Sequence, residues 1–196
     1  MMRRLSFLAA IFTFVGSLAF LPTLAQEKGA DPAVVARLKG HSDAVFAIAY
    51  SPDGKTIATA SFDTTLKLWD AATGQELRTY GGTGGHTKQV ISGGFSEDGS
   101  LLASGATDNT LKVWDVPTSV PIRSLKSNDA VHAVAMTLDG KTLALGGKDG
   151  LIRLVAADDF KELAKFEPGH KSPITGLAFN ANGQQLVSVG ADRTLR

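Results

Sequence analysis

The sequence contains no cysteine, and only 7% of its residues are aromatic, two of them tryptophan. Without cysteine the chain can form no disulfide, no thioether link to haem and no cysteine-borne lipid anchor, so packing alone must stabilise it. The formal net charge is only +1, which gives no electrostatic reason to expect nucleic acid or an anionic membrane as a partner. Glycine is plentiful, with 21 residues in 196, as is typical of short strands joined by tight turns.

The first 25 residues have the layout of a secretory signal. Arg3 and Arg4 form a positive start, residues 5–21 are apolar and uncharged, and Thr23-Leu24-Ala25 places small residues where a signal peptidase reads. We predict cleavage after Ala25, export to the periplasm or the extracellular space, and no membrane contact thereafter. An uncleaved anchor is the alternative, although the run of 17 residues falls short of the roughly 20 that span a bilayer.

One short pattern recurs four times along the rest of the chain. Its copies are Gly40-His41-Ser42-Asp43-Ala44-Val45, Gly85-His86-Thr87-Lys88-Gln89-Val90, Ser127-Asn128-Asp129-Ala130-Val131 and Gly169-His170-Lys171-Ser172-Pro173-Ile174. Their last residues lie 45, 41 and 43 positions apart, and each is followed after 18 positions by an aspartate. Four coincidences at one fixed offset indicate internal repeats rather than chance.

The sequence pattern of each repeat predicts four antiparallel strands. Apolar runs such as residues 45–50 and 131–136 lead into Asp-Gly turns, which favour tight hairpins because glycine tolerates positive φ. Four strands in roughly 40–45 residues are typical of one blade of a β-propeller. We therefore predict an all-β fold with an N-terminal segment and four repeats, at residues 26–39, 40–84, 85–126, 127–168 and 169–196.

The pairing of Gly40-His41 with Trp69-Asp70, and of Gly85-His86 with Trp114-Asp115, resembles the WD-repeat family. The resemblance implies that each blade buries a hydrogen-bonded tetrad of histidine, hydroxyl, aspartate and tryptophan. Matched by position, the tetrad residues are His41, Ser61, Asp63 and Trp69 in the first repeat, His86, Asp108 and Trp114 in the second, Asp149 in the third, and His170 and Asp192 in the fourth.

The later repeats depart from this pattern. Ala106, Gly147 and Gly190 stand where the first repeat has Ser61, and Val155 replaces the tryptophan of the third repeat. Because buried polar groups without partners are costly, we expect the third blade to be the least stable. The alternative is that apolar packing around Val155 compensates for the lost hydrogen bonds.

The last repeat stops three residues before the position that matches Asp70. The resemblance implies a ring of about seven blades, closed by an N-terminal strand for which Ala33 to Leu38 is the candidate. We therefore expect a fragment or a truncated product, because an incomplete blade leaves an unpaired strand edge. A compact four-bladed ring is the alternative.

No catalytic, cofactor or metal site is predicted. His41, Ser61 and Asp63 have the residue types of a hydrolytic triad, but a nucleophile needs exposure and an oxyanion site, and the resemblance buries this set. The histidines show no metal-ligand spacing. We therefore expect no enzyme. The alternative is an exported enzyme whose catalytic domain lies beyond the C-terminus, and a nonfunctional gene remnant is a third reading.

The resemblance points instead to a protein-binding platform on the face where first strands start and second strands end. The positions carried over to this face are Phe46, Phe62, Gln89, Ile91, Thr107, His132, Lys148, Thr175 and Ala191. Apolar groups exposed close together mark interaction surfaces, so the aromatic pair and Ile91 are the strongest candidates. The alternative is that each is merely a half-buried blade residue.

Overall fold

The computed structural model describes residues 37–167 and 169–196. The predicted signal segment, residues 1–25, lies outside the described residues, and so does most of the N-terminal segment. Of the ring-closing strand predicted for Ala33 to Leu38, only Arg37 and Leu38 are described, and they belong to no strand.

The first two repeats form two four-stranded antiparallel sheets, each in sequential order. The first sheet contains β1 (Val45–Tyr50), β2 (Thr56–Ser61), β3 (Leu66–Asp70) and β4 (Glu76–Tyr80). The second contains β5 (Val90–Phe95), β6 (Leu101–Ala106), β7 (Thr110–Asp115) and β8 (Pro121–Lys126). These sheets are blades 1 and 2 of the predicted propeller.

The third repeat gives another sheet of four strands, and the fourth gives a hairpin. Blade 3 contains β9 (Val131–Met136), β10 (Thr142–Gly147), β11 (Ile152–Ala156) and β12 (Glu162–Phe166). Blade 4 contains β13 (Ile174–Phe179) and β14 (Leu186–Gly190), with a single bridge from Val189 to Leu195. The prediction of an all-β chain built from antiparallel four-stranded blades is confirmed.

The Asp-Gly turns explain why each first strand turns back on itself. In blade 1 the Ser51 amide donates to the Thr56 carbonyl at 2.9 Å, and the Ser51 hydroxyl donates to Asp53 at 2.7 Å. Gly54 takes a φ of +70°, which glycine adopts without the steric cost that a Cβ would impose. The turn thereby sets the antiparallel register of β1 and β2.

Neighbouring blades pack through their first strands, with β1 against β5, β5 against β9, and β9 against β13. Small residues of the second strands allow this close approach. A Cβ on Gly105 would lie 2.6 Å from Val131 Cγ1, and one on Gly146 would lie 2.5 Å from Ile174 Cγ2. The hydrophobic core therefore runs between the blades rather than within each sheet.

Candidate functional site

The core of blade 1 contains a continuous chain of side-chain hydrogen bonds. His41 Nδ1 meets the Asp63 carboxylate at 2.7 Å, and His41 Nε2 meets Thr59 Oγ1 at 2.7 Å. Trp69 Nε1 donates to the same Thr59 oxygen at 2.8 Å. Because an ionised carboxylate only accepts, His41 carries its proton on Nδ1, and Thr59 donates to Nε2 while it accepts the indole N–H.

The hydroxyl of this tetrad is Thr59, so the prediction of Ser61 is wrong. In the register of β2 and β3, Trp69 lies opposite Ile57, which places Thr59 two positions along the same face and Ser61 four. At about 3.3 Å per residue, Ser61 is too far along the strand for the indole. Ser61 Oγ donates instead to the Asp43 carbonyl at 3.2 Å.

The same correction identifies the hydroxyl of blades 2 and 4, which again stands four positions before the aspartate. In blade 2, Ser104 Oγ meets His86 Nε2 at 2.8 Å and accepts from Trp114 Nε1 at 2.7 Å. In blade 4, Ser188 Oγ meets His170 Nε2 at 2.8 Å. Ala106 and Gly190 therefore do not mark lost hydroxyls.

The aspartates bind Nδ1 of each histidine, at the opposite end of each series of hydrogen bonds. The distance from His86 Nδ1 to the Asp108 carboxylate is 3.1 Å, and that from His170 Nδ1 to Asp192 is 3.0 Å. Each aspartate also accepts from a threonine hydroxyl two residues later, at 2.6 to 2.7 Å; these threonines are Thr65, Thr110 and Thr194. These threonines were not predicted, although a threonine stands two positions after the repeated aspartate in three of the four repeats.

Blade 3 replaces this polar core with apolar packing. Leu145 stands at the hydroxyl position and Val155 at the tryptophan position, and both are buried in the same hydrophobic cluster. Asp149, left without a histidine, pairs with the Arg153 guanidinium at 2.6 Å. The packing around Val155 matches the compensating arrangement considered from the sequence, while the lower stability of blade 3 stays a prediction.

Burial and polar contacts shift the pKa values of the buried aspartates and histidines in opposite directions. Burial alone would raise the pKa of Asp63, but hydrogen bonds from Thr65, His41 and the Ser42 amide outweigh it and lower the pKa to about 2. Burial lowers the pKa of His86, although the Asp108 carboxylate pulls in the other direction. At neutral pH the carboxylates are therefore ionised and His86 is neutral.

His41, Ser61 and Asp63, which have the residue types of a hydrolytic triad, do not form one, because the hydroxyl that meets His41 is that of Thr59 and Ser61 bonds to backbone groups instead. In blades 1 and 2 the hydroxyl that hydrogen-bonds to the histidine also accepts a hydrogen bond from an indole N–H. No cluster of three metal-ligating side chains occurs among residues 37–167 and 169–196. Within the same residues no helix has the length and apolar character needed to cross a membrane.

A β-bulge occurs at the start of every first strand. In blade 1, Val45 pairs with Ser61 and Ala47 with Ala60, which leaves Phe46 as the extra residue. The equivalent extra residues of the other blades are Ile91, His132 and Thr175. A bulge redirects a side chain away from the regular pleat, and the repeats place four such side chains at equivalent positions.

The predicted face contains one stacked aromatic pair. Phe46 is 61% exposed, and its ring lies 4.5 Å from that of Phe62 with an interplanar angle of 13°. In blade 2, Thr107 occupies the position of Phe62 and Gln89 that of Ala44, and Thr107 Oγ1 donates to the Gln89 side chain at 2.8 Å. The structure thus brings Phe46 and Phe62 together in blade 1, and Gln89 and Thr107 together in blade 2.

The remaining predicted residues differ in exposure. Lys148, Thr175 and Ala191 are exposed, whereas Ile91 and His132 are half-buried. Blades 1, 2 and 4 share one backbone hydrogen bond at this face: Phe62 N donates to Ala44 O and Ala191 N to Pro173 O, both at 2.9 Å, and Thr107 N donates to Gln89 O at 3.0 Å. Their role in binding a partner stays a prediction.

Comparison with known proteins agrees with this architecture. Two relatives align with 83% of this chain: Periodic tryptophan protein 2 of Saccharomyces cerevisiae, 39% identical over 164 residues, and F-box-like/WD repeat-containing protein TBL1X of Mus musculus, 30% identical over 163 residues. Ribosome assembly protein 4 of Saccharomyces cerevisiae is 46% identical over 46 residues, 24% of this chain. The aligned regions span only 17%, 25% and 9% of these three proteins, respectively.

The model of the family described as WD domain, G-beta repeat matches four segments, at residues 33–70, 74–115, 119–155 and 160–196. The first three segments each extend from the region before a histidine or its equivalent to the third strand of the same blade, and the fourth extends from before His170 through β13 and β14. Sequence match, repeat count and tetrad geometry agree, and the chain belongs to the WD-repeat family.

Proposed function

We propose that this chain is a non-catalytic scaffold that binds a protein partner through the stacked pair of Phe46 and Phe62. The single observation that carries the proposal is this stack, because two phenylalanine rings lie face to face at a blade end while one of them is 61% exposed. Aromatic residues are enriched among the side chains that dominate binding energy at protein interfaces.

Equivalent positions in the other blades extend this surface. The bulge residues Ile91, His132 and Thr175 repeat the position of Phe46. Their side chains differ from blade to blade, while the histidine, hydroxyl and aspartate recur in the cores of blades 1, 2 and 4. A rigid array that presents different side chains at equivalent places is well suited to recognise one extended surface of a partner. One relative is named for ribosome assembly, which also supports a scaffold.

Photo-crosslinking tests the position of the surface. A benzophenone amino acid is placed at Phe46, at Thr175 or at Leu77, an exposed residue of the outer strand β4, and the chain is irradiated in its native host. We expect one common adduct from the first two positions and none from Leu77. An adduct pattern shared with Leu77 would contradict a binding surface at the blade ends.

Substitution then measures the contribution of the stack to binding of the crosslinked partner. Phe46→Ala with Phe62→Ala should weaken binding at least about tenfold, because loss of a central interface aromatic costs more than about 1.4 kcal/mol. Ile48→Ala is the matched control, since Ile48 is 66% exposed on β1 but lies outside the stack. Equal losses in both variants would place the interface on the open face of blade 1 instead.

We further propose that the chain is exported, because residues 1–25 have the organisation of a signal. Fractionation of the native host and N-terminal sequencing test this. A mature chain that starts at Gln26 outside the cytoplasm is expected, and a cytoplasmic chain that retains Met1 would refute export.

A further inference from the structure

Three exposed lysines stand at the same end of the blades as the stack of Phe46 and Phe62, one in each of blades 2, 3 and 4. Lys88 precedes β5, Lys148 lies between β10 and β11, and Lys171 precedes β13. These positions share one end, because in an antiparallel blade the turn before the first strand lies beside the turn between the second and third strands. We call this the stack end; it is apolar in blade 1 and carries an exposed cation in each of the other blades.

The acids at the stack end already have partners. Among the described residues of blades 2 to 4, the exposed acids at this end are Asp149 and Glu167, which pair with Arg153 and Lys165, respectively. The tetrad aspartates of blades 2 and 4 have side chains only 6% and 7% exposed, and they accept hydrogen bonds within their own blade. Within the same residues the three lysine ammonium groups form no ion pair, so they are available to a partner.

The opposite end of the blades carries charge of the other sign. Its turns join first to second strands and third to fourth strands. The exposed charged residues of these turns are mostly acidic: Asp53, Glu97, Asp98, Asp139, Asp158 and Asp159, against Lys55, Lys141 and Lys161. Because surface potentials steer association, an acidic partner is attracted to the stack end and repelled from the opposite end.

We propose that the stack end binds an acidic protein segment, which places an apolar side chain on Phe46 and carboxylates on Lys88, Lys148 and Lys171. The inference rests on the proposed function, because the stack supplies the apolar anchor. Lysine suits this role, since its flexible stem lets the ammonium follow carboxylates of an extended chain. Nucleic acid fits the stack end less well, because its affinity comes from many phosphate contacts, whereas here the lysines are spaced one to a blade.

Selection of short random peptides on the immobilised 196-residue chain tests the proposal, with fluorescence anisotropy of the recovered peptides. We expect peptides that place an aromatic residue or leucine beside several aspartates and glutamates. Their affinity should fall as ionic strength rises from about 0.01 M to about 0.15 M, because the screening length shortens from about 30 Å to about 8 Å. Recovery of no peptide, peptides without acidic enrichment, or affinities that salt leaves unchanged would overturn the proposal.

Two triple variants with the same change in net charge localise the contact. Lys88→Ala, Lys148→Ala and Lys171→Ala together should weaken peptide binding about tenfold, as expected for three exposed ion pairs. The matched control replaces the lysines of the opposite end, Lys55, Lys141 and Lys161, by alanine and should leave the affinity nearly unchanged. Equal losses in the two triple variants would overturn the proposal. If a variant does not fold, the salt dependence of the unaltered chain still decides.

Two further measurements separate the possible outcomes. Non-acidic peptides that lose affinity in Phe46→Ala with Phe62→Ala would overturn the acidic partner and leave the proposed function intact, whereas acidic peptides that depend on the lysines but not on the stack would refute the apolar anchor. A labelled single-stranded DNA that binds as tightly as the peptides, and loses affinity when the stack-end lysines are replaced, would assign this surface to nucleic acid instead.

Discussion

Replacement of Thr59 by valine is the most direct test of the tetrad geometry. The two side chains have nearly the same shape, and both favour strands, so the change removes the hydroxyl without opening a large cavity. Thr59 is 5% exposed, and its oxygen serves both Trp69 and His41. The substitution therefore leaves two buried groups without partners at once.

The expected cost follows from those two groups. An unsatisfied buried donor or acceptor costs about 1–3 kcal/mol, so Thr59→Val should lower the free energy of unfolding by about 2–4 kcal/mol. Ser61→Ala, at the position predicted from the sequence, should cost only about 1 kcal/mol. Its hydroxyl bonds to backbone groups of Asp43 and Asp63, which lie close enough to solvent for water to replace it.

Urea unfolding followed by tryptophan fluorescence measures both variants, since Trp69 and Trp114 are the only tryptophans of the chain and both are buried. Thr59→Ser is the control that keeps the hydroxyl and should recover most of the loss. A cost for Ser61→Ala equal to or greater than that for Thr59→Val would refute the assignment of Thr59.

Two further predictions concern pH and blade packing. Because burial lowers the pKa of His86, the unfolded chain binds more protons than the folded chain as the pH falls through the ordinary histidine pKa of about 6.5. The free energy of unfolding should therefore fall from pH 7.5 to pH 5, and His86→Gln should flatten that part of the curve. An unchanged slope would contradict the role of His86. Gly146→Ala should cost about 1–3 kcal/mol by crowding Ile174, as measured by urea unfolding. Gly94→Ala, where an added Cβ meets nothing within 4 Å, should be nearly neutral; equal costs would show that the contact with Ile174 is unimportant.

The fold was predictable because its signals are local and repeated. The first strand of most repeats alternates large and small apolar residues, and the Asp-Gly or Asn-Gly turn that follows fixes the hairpin. The predicted segments 45–50 and 131–136 are the strands β1 and β9. The exact strand ends, such as Thr110 and Asp115 of β7, could not be read from the sequence. Hydrogen bonding across strands, which a sequence does not display, decides those ends.

The tetrad was predictable in its histidine, aspartate and tryptophan but not in its hydroxyl. Ser61 and Thr59 lie on the same face of one strand and differ only in distance from Trp69, which depends on the register of β2 and β3. The repeats held a usable signal, because a serine or threonine stands four positions before Asp63, Asp108 and Asp192. That offset, once compared across repeats, separates Thr59 from Ser61.

The bulge accounts for how one repeat can serve both stability and recognition. The residue before the bulge is buried and packs between blades in the second, third and fourth repeats, as Val90, Val131 and Ile174 do, whereas Val45 of the first repeat is 52% exposed. The bulge residue that follows it is displaced from the pleat. The side chain at this position therefore does not have to fit the packing between blades that constrains the preceding residue. Phenylalanine, isoleucine, histidine and threonine at this position are then compatible with one fold, and we infer that partner choice is encoded here while the adjacent residues hold the blades together.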